Sequence, residues 1–90
     1  MKRIEATLVL TNRSGLHASP ASIFVQTAKK FRSKIFVRKG GKKADAKSIL
    51  SVLSLGAECG DEIEIIVEGD DAEDALKALV TLVKNKFGEE

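Results

Sequence analysis

Hydrophobic and polar positions alternate in several short stretches of the chain, and this pattern predicts strands. In residues 3–10, 34–39 and 62–68 one face is apolar at every second position, formed by Ile4, Ala6, Leu8 and Leu10, by Ile35 and Val37, and by Ile63, Ile65 and Val67. A period of two sends neighbouring side chains to opposite faces of a sheet, so each stretch predicts a strand with one buried face. The pair Gly40–Gly41 predicts a tight hairpin turn, which returns the chain through a short strand at residues 42–46.

The spacing of apolar residues becomes helical in three other stretches. From Pro20 to about residue 31, and again in residues 48–55, the pattern predicts a helix. The acids of residues 70–73 predict the start of a last helix, because acidic side chains there bond free amides and favour the helix dipole. The predicted core stripe of that helix comprises Ala75, Leu76, Leu79, Leu82 and Val83. Antiparallel strands with helices on one face satisfy this order of elements, so residues 1–90 predict a single α+β domain, a two-layer sandwich.

Composition and charge narrow the classes of function. Ninety residues leave no room for a large cofactor fold, and 43% hydrophobic residues predict a folded chain. The net charge of +2 favours no particular partner, although residues 29–43 are basic and residues 58–74 are acidic. These stretches are two solvated faces, or the basic one attracts an acidic protein or nucleic acid. The absence of Tyr and Trp argues against nucleic acid, since such surfaces stack bases on aromatic rings.

The single cysteine and single histidine exclude several kinds of site. Cys59 has no partner for an intramolecular disulfide, which is typical of a reducing compartment, and no neighbouring histidine activates its thiol. One His and one Cys make a poor metal site. No apolar stretch has the length of a membrane span or the form of a signal peptide. We therefore expect a cytoplasmic protein without a metal ion or membrane insertion.

The sequence Gly-Leu-His-Ala-Ser-Pro at residues 15–20 is the strongest candidate for chemistry. It joins a predicted strand to a predicted helix, so His17 lies where unpaired amides and the helix dipole favour negative charge. Gly15 permits an unusual backbone angle, and Pro20 suits the first helical turn. An imidazole at this place keeps a nucleophilic nitrogen near pH 7, and a phosphoryl group on it would lie over the amides.

Two other interpretations of His17 rest on the residues alone. The side chain caps the helix or fills a surface niche, or it serves as a general base. For the latter, Ser14, Ser19 and Ser22 are the close hydroxyls. No acid is adjacent in sequence to orient the ring, so a hydrolytic triad is weakly indicated.

Two motifs resemble those of one family. Residues 12–21, Asn-Arg-Ser-Gly-Leu-His-Ala-Ser-Pro-Ala, resemble the histidine loop of the HPr family, the phosphocarrier proteins of the bacterial phosphotransferase system. Residues 46–55, Ala-Lys-Ser-Ile-Leu-Ser-Val-Leu-Ser-Leu, resemble its second motif, around a regulatory serine. The resemblance implies an open-faced sandwich, with a four-stranded antiparallel sheet and three helices on one face, and no cofactor.

The resemblance also implies a role for the loop. His17 would receive a phosphoryl group from phosphorylated enzyme I and donate it to an enzyme II A-type domain, so the protein would be a carrier rather than a stand-alone enzyme. The residues that would support the phosphate are Gly15, Ala18, Ser19 and Pro20.

One residue departs from the family motif, which has an arginine where this chain has Ser19. A guanidinium would hold phosphate oxygens through paired, charge-assisted hydrogen bonds, whereas serine offers a neutral hydroxyl. Three interpretations follow: a slower carrier that uses helix amides and Arg13, a regulatory or binding paralogue, or a serine that caps the helix before Pro20. We favour the weakened carrier, since His17, Gly15 and Pro20 are retained.

The second motif predicts regulation and docking. Ser48 begins a predicted short helix, where it is either an N-cap or, as the resemblance implies, a site of regulatory phosphorylation. The segment after it is more apolar than one buried stripe requires, so some side chains should remain exposed as a docking surface. The resemblance assigns that role to Ile49, Leu50 and Leu53. The implied partners are enzyme I, enzyme II A-type domains and, through Ser48, a serine kinase/phosphorylase or a transcriptional regulator; we expect a monomer.

Overall fold

The strands form one antiparallel sheet. The computed structural model describes residues 2–89. Its strands are β1 Arg3–Val9, β2 Lys34–Lys39, β3 Lys42–Asp45 and β4 Glu62–Glu68, in the order β1-β4-β2-β3. Strands β2 and β3 form the predicted hairpin around Gly40–Gly41. The first and last strands pair along their whole length.

Three helices lie against one face of this sheet. They are α1 Ala18–Ala28, α2 Ile49–Ser54 and α3 Ala72–Lys84, and a short 3-10 turn, Lys86–Gly88, follows α3. Helix α3 packs on β1 and β4, and α1 packs on α2 and α3. The space between the layers is filled by one cluster of buried apolar side chains, of which the largest are Phe24, Leu10, Leu16, Ile35, Ile63, Ile65 and Leu79. The predicted two-layer α+β sandwich is therefore confirmed.

Strand β4 departs from the predicted alternation. Its odd-numbered apolar residues face the helices, but Ile66 is also buried, and a period of two places it on the opposite face. There it pairs with Phe36 of β2, and the Lys43 ammonium lies 4.3 Å from the centroid of the Phe36 ring. The open face of the sheet thus carries a small apolar island covered by a cation–π contact.

Several boundaries differ from the predicted ones by one to three residues, and the largest difference is at the end of α1, which is Ala28 rather than about residue 31. Helix α1 begins at Ala18 rather than at Pro20, β1 ends before Leu10, and β3 ends at Asp45. In α3 the buried stripe is narrower than predicted, because Leu76 and Leu82 are only partly buried. These two lie at either side of the line formed by Ala75, Leu79 and Val83, which are spaced four residues apart.

Asp71 is the N-cap residue of α3, but its side chain makes no capping hydrogen bond. Its carboxylate accepts hydrogen bonds from the backbone amides of Arg32 and Ser33, at 2.9 Å each, and from the Ser33 hydroxyl. The Ser33 hydroxyl, followed by the Arg32 amide, lowers the pKa of Asp71 to about 2. The prediction that this acid bonds the helix amides is therefore wrong, since the carboxylate ties the start of α3 to the start of β2. Glu73 and Asp74 are the acids left in the first turn.

Candidate functional site

His17 lies at the junction between the β1–α1 loop and helix α1. It is the N-cap residue, with extended backbone angles of φ −132° and ψ 165°, and it is partly buried. Its carbonyl accepts a hydrogen bond from the Ala21 amide at 3.3 Å. Its side chain makes no capping hydrogen bond. The imidazole is thus placed at the helix start without being used to close it.

The backbone before His17 is held from behind by the turn at residues 57–61. The Leu16 amide donates to the Ala57 carbonyl at 2.9 Å. Gly15 has φ +65°, and a Cβ added to it would lie 2.5 Å from the Ala57 oxygen and 2.6 Å from Cα of Glu58. Glycine is therefore required at position 15 both for its conformation, as predicted, and for the space.

A lysine from β2 fixes that turn. The Lys39 ammonium lies 3.0 Å from the Gly56 carbonyl oxygen and 3.0 Å from the Asp61 carboxylate. The Asp61 carboxylate also accepts the Glu58 amide at 2.8 Å. The Glu58 amide and then the Lys39 ammonium lower the pKa of Asp61. The support behind Gly15 is therefore held by charged groups.

The residue after His17 has a strained backbone. Ala18 has φ +46°, in a left-handed region that costs a residue with a Cβ about 1–2 kcal/mol. Such strain persists only where the surroundings fix the chain. Here Leu16 and Pro20, on either side of the His17–Ala18 pair, are both buried. The sequence carries no signal for this conformation.

The first turn of α1 presents free backbone donors. Ser19 is the exposed second residue of the helix, so the interpretation of Ser19 as a helix cap is wrong, because His17 occupies that position. Pro20 is the buried third residue and has no amide hydrogen. Within residues 2–89 the amides of Ala18 and Ser19 have no hydrogen-bond acceptor. The phosphate-supporting residues predicted from the sequence thus lie together beside the imidazole.

A hydrogen-bond network below this loop was not predicted. Oε1 of Glu89 accepts from the side-chain amide of Asn12 at 2.9 Å and from the backbone amide of Ser14 at 3.2 Å, while Oε2 accepts from the Ser14 hydroxyl at 2.8 Å. These bonds, that of Asn12 first, lower the pKa of Glu89. The paired residues are 75 to 77 positions apart, a separation that no local periodicity reports.

The second motif forms a capped helix with an apolar surface. Ser48 is the N-cap of α2, and its hydroxyl accepts a hydrogen bond from the Ser51 amide at 3.3 Å. Three apolar side chains of α2 are exposed, as the composition of the segment predicts, and we name them the α2 patch: Ile49 at 39%, Leu50 at 77% and Leu53 at 37%. Helix α2 packs beside α1, so the α2 patch and the His17 loop lie on neighbouring elements.

The described part of the chain offers little for other kinds of site. Among residues 2–89 no group of three or more His, Cys, Asp or Glu residues is placed to hold a metal ion. None of the described helices combines the length and the apolar character needed to cross a bilayer. Cys59 is exposed.

Comparison with known proteins gives a consistent result. The family model described as PTS HPr component phosphorylation site matches residues 4–85. Phosphocarrier protein HPr of Treponema pallidum is 45% identical over 84 residues, 93% of this chain and 96% of that protein. HPr-like protein Crh of Halalkalibacterium halodurans is 41% identical over 85 residues, 94% of this chain and 96% of that protein. The crystal structure of HPr-C-His from Thermoanaerobacter tengcongensis superposes with a TM-score of 0.94 at 53% identity, covering 100% of this chain and 99% of that one. The chain therefore belongs to the HPr family and is a phosphocarrier of the phosphotransferase system.

Proposed function

We propose that His17 is the residue that carries the phosphoryl group, from phosphorylated enzyme I to an enzyme II A-type domain, in the cytoplasm. In the first step an imidazole nitrogen attacks phosphorus, the bond from phosphorus to enzyme I breaks, and a phosphorus–nitrogen bond forms at His17. In the second step a nucleophile of the enzyme II domain attacks the same phosphorus and releases His17. The protein itself is unchanged after the two steps.

The observation that carries this proposal is the unused helix start next to the ring. The imidazole of His17 makes no capping bond, and the amides of Ala18 and Ser19 are without acceptors among residues 2–89. Donors that are already oriented toward the place where charge develops stabilise a transferring phosphoryl group without reorganisation. The same donors serve attack and departure, as a relay requires.

Ser19 makes this carrier slower than one with an arginine. Phosphoryl transfer depends on positive groups that neutralise the charge on the equatorial oxygens, and Ser19 is neutral. Arg13 lies in the same loop and is exposed. Besides the hydrogen bonds from Asn12 and Ser14, the positive charge of Arg13 also lowers the pKa of Glu89. The Arg13 guanidinium thus acts on a carboxylate bonded to the loop, and in this proposal its charge partly substitutes for the missing arginine.

The α2 patch is the surface on which both partners dock. Three exposed apolar side chains on one short helix form the kind of anchor that binds a partner through a few residues. Ser48 is half-buried at the edge of this patch, and a phosphate on its hydroxyl adds roughly two negative charges there. Phosphorylation of Ser48 by a serine kinase would therefore weaken docking. The variant Ser48→Asp should lower transfer more than its control Ser54→Asp, at the exposed end of the same helix.

Labelling with phosphoenolpyruvate tests the role of His17. The protein is incubated with enzyme I and labelled phosphoenolpyruvate, and we expect an acid-labile label on the natural chain and none on His17→Ala. Thermal unfolding of His17→Ala verifies that the variant is folded. A label that survives in His17→Ala contradicts the proposal. A natural chain that binds enzyme I through the α2 patch but takes no label is the regulatory paralogue instead.

A further inference from the structure

The segment after α3 returns to the loop that carries His17. Three successive residues, 86–88, have positive φ angles of 54°, 53° and 82°, which reverse the chain. Phe87 anchors it: this side chain is 7% exposed, and its ring centroid lies 6.4 Å from that of Phe24 in α1. We name residues 85–89 the C-terminal strap. Its aromatic contact fixes the strap to α1, the helix of which His17 is the N-cap residue.

The end of the strap binds the other side of His17. Both carboxylate oxygens of Glu89 accept hydrogen bonds from the turn at residues 12–15, three in all. The same side-chain amide of Asn12 that donates to Glu89 also donates to the Gly15 carbonyl at 2.9 Å. The turn is closed by the Gly15 amide, which donates to the Asn12 carbonyl at 3.2 Å. The carboxylate, Asn12 and Gly15 thus form one continuous chain of bonds.

The orientation of Asn12 is dictated by this chain. Its side chain is fully buried, and its Oδ1 has no hydrogen-bond partner among the described residues. Turning the amide over would place that oxygen against the Glu89 carboxylate and the Gly15 carbonyl, which are both acceptors. The arrangement leaves one acceptor unsatisfied and gains a charge-assisted bond to the carboxylate. A buried side chain is therefore committed to linking Glu89 with Gly15.

We propose that Glu89 is a positioning residue for phosphoryl transfer, because its carboxylate fixes the 12–15 turn and, through Asn12, the backbone two residues before the imidazole. This inference rests on the proposed role of His17. The strap contacts α1 after His17 through Phe87 and the turn before His17 through Glu89, so one segment clamps both flanks. In a carrier without the arginine, transfer depends on the aim of the imidazole over two amides, and a misplacement of about 1 Å can cost as much as 10²-fold in rate.

Three variants test the proposal. Glu89→Ala removes all three bonds. Glu89→Gln keeps the acceptor for Asn12 and Ser14 and offers an amide donor to the Ser14 hydroxyl, so it retains the geometry without the charge. The control is Glu73→Ala, whose side chain is 74% exposed and pairs with Lys2 at 3.1 Å, at the opposite end of the sheet from the His17 loop.

The readouts are the kcat and KM of phosphoryl transfer from phosphorylated enzyme I, and hydrogen exchange of the Gly15 amide. We expect Glu89→Ala to lower kcat about tenfold, with KM changed by less than about twofold because the α2 patch is intact. Exchange of the Gly15 amide should become about tenfold faster as the turn opens. Glu89→Gln should keep kcat within about twofold of that of the natural chain, since the amide can make the same hydrogen bonds. The control Glu73→Ala should match the natural chain.

Each contrary result has its own meaning. A natural chain labelled at His17, together with a Glu89→Ala variant of unchanged kcat, overturns the positioning role and leaves the role of His17 standing. A rise in KM alone assigns Glu89 to docking and overturns the proposal. A Glu89→Gln variant as impaired in kcat as Glu89→Ala, although its Gly15 amide exchanges as slowly as in the natural chain, assigns the effect to charge and also overturns it. A natural chain without label refutes the role of His17 and the positioning role together.

Discussion

Two helix starts in this protein are built in opposite ways. At α2 the Ser48 hydroxyl bonds the Ser51 amide, so the cap is complete. At α1 the cap residue is His17, whose ring bonds no amide of the helix, and the next residue has φ +46°. The first arrangement stabilises its helix, whereas the second keeps donors available to an anion at the expense of strain. At α1, unlike at α2, the side chain of the cap residue leaves the first amides of the helix available to an anion.

The two starts also differ in what holds them. The cap of α2 is local, since its donor and acceptor are three residues apart. The loop before α1 is held by distant groups, the Ala57 carbonyl behind Leu16 and the Glu89 carboxylate below Ser14. An uncapped and strained start therefore requires support from elsewhere in the chain.

The largest effect should come from the close approach behind α1. Gly15→Ala should lower the free energy of unfolding by about 3 kcal/mol, because the added Cβ collides with backbone atoms and because alanine is strained at a left-handed φ. Urea denaturation measures this. The control is Gly56→Ala, with φ +60° and nothing within 4 Å of the added Cβ, which should cost only about 1 kcal/mol. Equal losses would show that conformation alone, and not packing against the turn, requires Gly15.

An arginine at position 19 tests how much of the phosphate's charge the free amides of α1 already stabilise. Ser19→Arg should raise kcat/KM for phosphoryl transfer roughly 10²-fold, less than the 10³- to 10⁵-fold that an arginine gives in other systems, because the amides already bear part of the charge. The matched control is Ser22→Arg, an exposed position one turn later in α1. The same increase in both variants would indicate general electrostatic attraction rather than a contact with the phosphate.

Substitution of each cap residue tests directly whether the two helix starts differ as described. Ser48→Ala should cost about 1 kcal/mol of unfolding free energy and leave the label on His17. His17→Ser should give α1 the cap that α2 has, gain up to about 1 kcal/mol, and abolish labelling. Thermal and urea unfolding measure both. Ser54→Ala, which removes a hydroxyl that bonds the Ser51 carbonyl, should stay within about 0.5 kcal/mol of the natural chain; a loss of stability in His17→Ser would contradict the account of α1.

The smallest effect concerns the third helix start. The pKa of Asp71 is about 2 in the folded protein, against 3.8 in the absence of its bonds to Ser33 and Arg32. A lowered pKa means that the contribution of Asp71 to stability is complete above about pH 4 and is lost as the pH falls toward 2. Asp71→Asn should therefore flatten the dependence of the urea midpoint on pH between 4 and 2. The exposed Asp70→Asn is the control, and an equal flattening there would contradict the assignment to Asp71.

Local patterns in the sequence predicted the ends of the strands and of the three α-helices to within three residues. The period of two located the strands, the spacing of Ala21, Phe24 and Ala28 located α1, and Gly40–Gly41 located the hairpin. The strand order was beyond this reasoning, because the pairing of the first strand with the last is set by packing between distant segments. The burial of Ile66 was not predicted for a related reason, since Phe36, which pairs with it, lies on β2.

The candidate site was predicted as far as its signals were local. The positions of Gly15, His17 and Pro20 follow from the residues of one loop. The conformation of Ala18 does not, because it results from what surrounds the loop. The hydrogen bonds by which Asp71 and Glu89 link distant segments were not predicted, because their donors are far away in the sequence.

The turn behind Gly15 also carries the only cysteine of the sequence. Cys59 is exposed and follows by two residues the carbonyl that holds Leu16. A thiol-reactive fluorophore would attach at this one place in the natural chain, next to the His17 loop, which becomes more negative when the histidine is phosphorylated. Its emission would then follow loading and unloading of the carrier in real time, without any engineered mutation.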